Sequence, residues 1–135
     1  MGQPTNITLA VDKANTGTTT DVVYTDFNDT TPTRSTWIAA LHATAMRVMM
    51  QMYRAFPKRS GASRGTARVW VKFTTDVEVL NASGDGNIVL PLIGEVSFAI
   101  PEGVTPAQTL ELRQTMLALL DRDDLMARLC DVLDI

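Results

Sequence analysis

Residues 68–79 read RVWVKFTTDVEV, and their pattern decides the fold. Val69, Val71, Phe73, Thr75, Val77 and Val79 occupy one side, while Arg68, Trp70, Lys72, Thr74, Asp76 and Glu78 occupy the other. Side chains alternate across a strand with period two, and six alternations in succession do not sit on a helix. Residues 81–87 (NASGDGN) are a turn cluster that joins this strand to another. Residues 88–100 alternate again: Ile88, Leu90, Leu92, Val96, Phe98 and Ile100 share one face with Gly94 among them, and Ile93, Glu95, Ser97 and Ala99 lie on the other.

Upstream, residues 6–11 (NITLAV) and 21–26 (DVVYTD) read as two strands joined by a turn-rich stretch with Gly17 at its tip, making an N-terminal hairpin. Residues 28–33 form a polar loop containing Pro32. Residues 36–56 allow two readings. Ile38, Leu41, Ala45, Val48, Met49, Met52 and Phe56 fall at helical steps of three and four, yet residues 47–53 also alternate as a strand would; the periodicity slightly favours the helix. Residues 57–65 (PKRSGASRG) are a basic loop.

Downstream, the period changes. Thr105, Pro106 and Gln108 carry the signature of a capped helix start, and Leu110, Leu112, Met116, Leu117, Leu119 and Leu120 follow as a broad apolar face. Residues 121–124 (DRDD) break that helix, and Leu125, Leu129, Val132 and Leu133 mark one side of a second, with Cys130 next to them. Strands followed by helices predict an α+β fold: an N-terminal β-hairpin, an antiparallel β-sheet, and two C-terminal α-helices covering the face that bears Val69, Val71 and Phe73. At 135 residues a single domain spanning 1–135 is expected, with a core modest enough to gain from being shared with a second copy.

The charges are segregated. Residues 30–75 hold Arg34, Arg47, Arg54, Lys58, Arg59, Arg64, Arg68 and Lys72 and no acid. The rest of the chain holds Lys13, Arg113, Arg122, Arg128 and all 15 acids, so a chain of net charge −3 contains a segment of charge +8. Such segregation points to a polyanionic partner, a solvated basic face being the plainer reading. The sheet face opposite the helices carries Arg68, Trp70 and Lys72. Cations there neutralise phosphates and an indole stacks on an unpaired base, so this face is a candidate nucleic-acid platform.

Catalysis is poorly supplied. His42 and Cys130 are the only residues of their kinds, no Cys/His spacing suits zinc, and no glycine-rich phosphate loop precedes a helix. Asp121, Asp123 and Asp124 are explained by capping at a helix start, so no metal, cofactor or enzymatic activity is expected. The single cysteine excludes an intrachain disulfide and argues for a reducing compartment. No apolar run reaches the roughly 18 residues of a membrane span, and the opening MGQPTN lacks the pattern of a secretory leader.

Taken together, NITL with its hairpin, residues 35–39 (STWIA), residues 95–101 (EVSFAIP), the Thr-initiated helix and the short final helix resemble, in order and spacing, the coat proteins of levivirus-type single-stranded RNA bacteriophages. The resemblance spans nearly the whole chain. It implies an intertwined obligate homodimer with one continuous sheet, closing of dimers into an icosahedral shell, and an inner sheet face turned to genomic RNA. It also implies that residues 44–55 form a strand. Carried over residue by residue, it implies RNA contacts at Arg47, Met49, Gln51 and Tyr53 on one strand, Arg68, Trp70 and Lys72 on the next, and Ile93 and Glu95 on the last. Ile93, Glu95 and Met49 depart from the family's residue types, which bears on any RNA hairpin bound as a translational repressor. The loop Asn81, Ala82, Ser83, Gly84, Asp85, Gly86 and Asn87 resembles the loop that gathers around shell symmetry axes. The expected place is the virion capsid, assembled in the bacterial host cytoplasm. A stand-alone dimeric nucleic-acid-binding module that builds no shell would use the same basic face.

Overall fold

The computed structural model describes residues 6–27 and 31–131. Six strands, β1 (Ile7–Val11), β2 (Thr20–Asp26), β3 (Arg34–Ala39), β4 (Val48–Ala55), β5 (Thr66–Leu80) and β6 (Asn87–Pro101), precede two helices, α1 (Pro106–Leu120) and α2 (Asp123–Asp131). The strands form one antiparallel sheet in the order β1-β2-β3-β4-β5-β6, so every strand pairs with its neighbour in sequence.

The longest ladder is β5 with β6, running from Thr66 opposite Pro101 to Leu80 opposite Asn87. Its register sets Val69 against Phe98, Val71 against Val96 and Val77 against Leu90, as the alternation requires. Hydrogen bonds from Asn81 N to the Gly86 carbonyl and from Gly84 N to the Asn81 carbonyl close the turn, with Gly84 at φ +76°. That left-handed conformation suits glycine, which has no Cβ to clash. The N-terminal hairpin is likewise closed by a side chain, the Asp12 carboxylate accepting from Thr16 N and Gly17 N.

Between Arg34 and Ala55 the helical spacing is overturned. The chain runs as β3, a turn, and β4, and the strand implied over 44–55 begins only at Val48. Ala43 and Met46 exchange backbone hydrogen bonds, and the imidazole Nδ1 of His42 accepts from Val48 N at 3.1 Å. The lone histidine thus substitutes for the glycine or proline that would have announced a turn. Part of the loop at 28–33 lies outside the described residues, as do Val132 and Leu133.

A small core lies on one face of the sheet. Trp37 opposes Met50 and Met50 opposes Phe73 across β3, β4 and β5, and the edge of one ring of the Tyr24–Phe73 pair meets the face of the other at 6.1 Å. Trp37, Ala39 and Met50 are the buried apolar residues among those described, Met50 being 2 % exposed. Further along the same face, Met52, Val69, Val71, Phe98 and Ile100 look across an open cleft of ≈ 470 Å³ at Thr109, Leu112 and Arg113 of α1.

Helix α1 starts as its sequence specifies. Thr105 Oγ1 accepts from Gln108 N, Gln108 Oε1 accepts from Thr105 N, and Pro106 takes the first helical position. Neither helix buries a residue among those described, and the α1 leucines at 110, 112, 117, 119 and 120 remain about half exposed. The helices follow the sheet as expected, but one chain alone leaves the apolar face incompletely covered.

This packing separates two substitutions. Met50→Ala removes a fully enclosed side chain and should lower the unfolding free energy by about 2–5 kcal/mol in urea titrations. Leu41→Ala, at a residue 81 % exposed, should change it by no more than about 0.5 kcal/mol.

Candidate nucleic-acid interface

The strand registers build the opposite face as rows that run across four strands. The first row is Arg34, Tyr53, Trp70 and Ser97; the second is Thr36, Gln51, Lys72 and Glu95; the third is Ile38, Met49, Thr74 and Ile93. Arg68, between Ala55 and Ala99, lies beside the first row. Eight of the nine residues singled out for RNA contact, Met49, Gln51, Tyr53, Arg68, Trp70, Lys72, Ile93 and Glu95, therefore share one surface.

Two features order that surface. The Tyr53 and Trp70 rings stack with centroids 5.0 Å apart and planes within 6°. Tyr53 also donates from its hydroxyl to Gln51 Oε1 at 2.9 Å, while Gln51 Nε2 reaches Thr36 Oγ1 at 3.4 Å. The polar chain Thr36–Gln51–Tyr53 holds the tyrosine ring, and the ring holds the indole. A tyrosine whose hydroxyl is already bonded and whose ring is stacked on the indole costs little to present to a ligand, since its rotamer is fixed beforehand. The Arg68, Lys72 and Glu95 side chains make no ion pair among the described residues, although Lys72 and Glu95 stand directly opposite each other.

Arg47 is placed differently. It precedes β4, and its guanidinium grips Asp76 of β5, with Nε to Oδ2 at 2.9 Å and Nη2 to Oδ1 at 3.1 Å. Arg47 N donates to the same carboxylate, and Asp76 N donates back to the Arg47 carbonyl. The arginine side chain is 47 % exposed while the aspartate side chain is 7 % exposed. The contact thus fastens the β3–β4 turn to β5, and one of the eight cations of the basic segment is neutralised by the first acid after it. Side-chain hydrogen bonds from Arg47 first, then the backbone N–H, hold the Asp76 carboxyl below its ordinary range. The separation of 29 residues hid this partnership from sequence patterning.

The 81–87 loop lies at the far end of the β5–β6 hairpin, ten residues or roughly 33 Å of strand beyond Trp70. It is tightly hydrogen-bonded. Asn81 Nδ2 and Ser83 Oγ both donate to Asp85 Oδ1, at 3.0 and 2.6 Å, and Asp85 N donates to Asn81 Oδ1. The Ser83 and Asn81 bonds lower the Asp85 pKa. The loop and the sheet face are thus two separate candidate regions.

At the other end, the basic loop 57–65 folds back so closely that a Cβ on Gly65 (φ +100°) would lie 2.4 Å from the Lys58 carbonyl oxygen. Only glycine fits there, and it holds Lys58, Arg59 and Arg64 next to the start of β5.

Solved structures share this architecture over the whole chain. The virus-like particle of bacteriophage AVE019 matches with a TM-score of 0.77, 19% identity and coverage of 99% of each chain. That of bacteriophage ESE058 matches with a TM-score of 0.72, 16% identity and coverage of 99% of each. That of Beihai levi-like virus 32 matches at 0.72 and 12% identity, over 84% of this chain and 88% of that one. No protein-family model and no curated protein matches the sequence. The six-stranded antiparallel sheet followed by two helices is the fold of these particle subunits.

The Arg47–Asp76 contact makes an acid-limb prediction. A carboxyl whose folded-state pKa lies below its ordinary value of 3.8 adds stability that is present above that value and is lost as pH falls through the folded pKa. Asp76→Asn should therefore lower the thermal midpoint at pH 7 and narrow its gap to the unsubstituted chain as pH drops below about 4. Differential scanning fluorimetry across pH 2–7 reads that gap.

Proposed function

We propose that this chain is the coat protein of a single-stranded RNA bacteriophage: it pairs as a homodimer, assembles into an icosahedral shell in the bacterial cytoplasm, and packages RNA against the face carrying Tyr53, Trp70, Arg68 and Lys72. The observation that carries this reading is the end-to-end fold match to subunits of virus-like particles.

Two physical features support pairing. Strand β6 is a sheet edge 15 residues long, and Ile88, Val89, Leu90, Leu92 and Ile93 along it are all exposed, Leu92 by 63 %. Apart from Pro91, which offers no N–H, this apolar edge has open ladder groups and invites a second strand. The half-exposed α1 leucines and the open cleft beneath them are the second feature; a partner's helices laid on the sheet would bury both. In the shell the 81–87 loop, projecting at the tip of the longest hairpin, makes contacts around symmetry axes. With β6 joined to its counterpart, the two polar faces form one basic floor, and the apolar faces lie beneath helices. RNA binding there is electrostatic in its bulk, since each phosphate neutralised releases a counterion.

Negative-stain microscopy of protein expressed without its genome should show uniform round particles whose absorbance at 260 nm exceeds that of protein alone. Discrete dimers at every salt and pH would instead favour a binding module that builds no shell. Arg68→Ala and Lys72→Ala should each reduce the slope of log affinity against log salt by about one for single-stranded RNA; an unchanged slope removes that residue from the interface.

A further inference from the structure

Beside Trp70, on the side away from Tyr53, the polar face opens into a cleft of ≈ 300 Å³ whose lining includes Arg68, Trp70, Glu95, Ser97 and Ala99. An engineered cavity of about 150 Å³ takes up benzene, so this volume has room for a purine. Its shape follows from the registers. Trp70 opposes Ser97 and Arg68 opposes Ala99, so the β6 side of the cleft is made of small residues that leave the indole uncovered. Tyr53 stacks on the indole and fixes its plane. A flat aromatic wall, a shallow floor and a cation at the rim are what an unstacked nucleobase needs.

Glu95 gives the cleft its character. A carboxylate on a basic surface repels phosphate, and it makes no side-chain hydrogen bond or ion pair among the described residues, while Lys72 stands directly across from it and offsets its charge. A carboxylate only accepts hydrogen bonds. Of the four bases, guanine alone presents two adjacent donors, N1–H and N2–H, on its Watson–Crick edge. Adenine and cytosine set a ring acceptor beside their one amine, and uracil flanks its single N–H with two carbonyls, so each meets a carboxylate with repulsion as well as attraction.

We infer that this cleft is a guanine-selective nucleobase pocket, in which the base stacks on Trp70, its Watson–Crick edge is held by Glu95, and the adjoining phosphate is met by Arg68. The pocket rests on the RNA-binding reading of the face and adds to it a preference for single-stranded guanosine.

The test uses the full-length protein, kept below the concentration at which light scattering reports particles. The probes are fluorescein-labelled decauridylate and the same strand with one central guanosine, adenosine, cytidine or inosine, read by anisotropy. The guanosine strand should bind about tenfold more tightly than the uridine, adenosine and cytidine strands, in the range of one well-formed bidentate base contact. Inosine, which lacks the N2 amine, should fall between them. Glu95→Gln should erase the guanosine advantage, reducing the guanosine-to-uridine affinity ratio from about ten to about one, because an amide offers one acceptor where the carboxylate offers two. Equal, salt-dependent affinity for all five strands, or preference for a different base, overturns the pocket and leaves the RNA face standing. Absence of binding to every strand at low salt overturns both.

Discussion

The register between β5 and β6 is the constraint on which the rest of the molecule depends. Fifteen consecutive residue pairs place every valine of β5 against an apolar residue or glycine of β6 and every charged residue of β5 on the other side. A slip of one residue would carry Arg68, Lys72 and Asp76 onto the apolar face. The tight turn at Asn81–Gly86, with its carboxylate and amide side chains bonded to one another, fixes that register at one end. The Glu102 N–H to the Gly65 carbonyl closes it at the other.

From this register follow both surfaces. The apolar face encloses Trp37 and Met50, while Met52, Val69, Val71, Phe98 and Ile100 beside them open onto a cleft and the leucines of α1 stay half exposed. The polar face aligns an aromatic stack with Arg34, Arg68, Lys72 and Glu95. Taken alone, one chain leaves much of its apolar area exposed on the apolar face and along β6.

The long strands and the capped helix were legible because each is specified locally: period-two alternation for 66–80 and 87–101, and Thr105 with Gln108 for α1. The stretch 36–56 was not. Its Met, Ala and Leu residues suit a helix, and the turn at 40–47 has no glycine or proline. That turn exists because His42 captures Val48 N and Asp76 captures Arg47, and the second partner comes from a strand far along the chain. Tertiary partners outweighed propensity there. On the site, alternation alone grouped Arg68, Trp70 and Lys72. Joining them to Tyr53 and Gln51 needed the cross-strand register, and the pairing of Arg47 with Asp76 was invisible to pattern. Ser97 and Ala99 carried no signal by type; their importance is that they are small opposite a large indole.

The sequential order of the strands has a kinetic consequence. Each strand pairs only with the one made just before it, so the sheet closes through short loops and its contact order is low for a β-structure. A chain emerging from the ribosome can pair each strand with the one before it, with only the β3–β4 turn waiting for Asp76 of β5, and β6, the apolar edge, is the last strand to appear. That edge is therefore folded and exposed only from the end of synthesis onward.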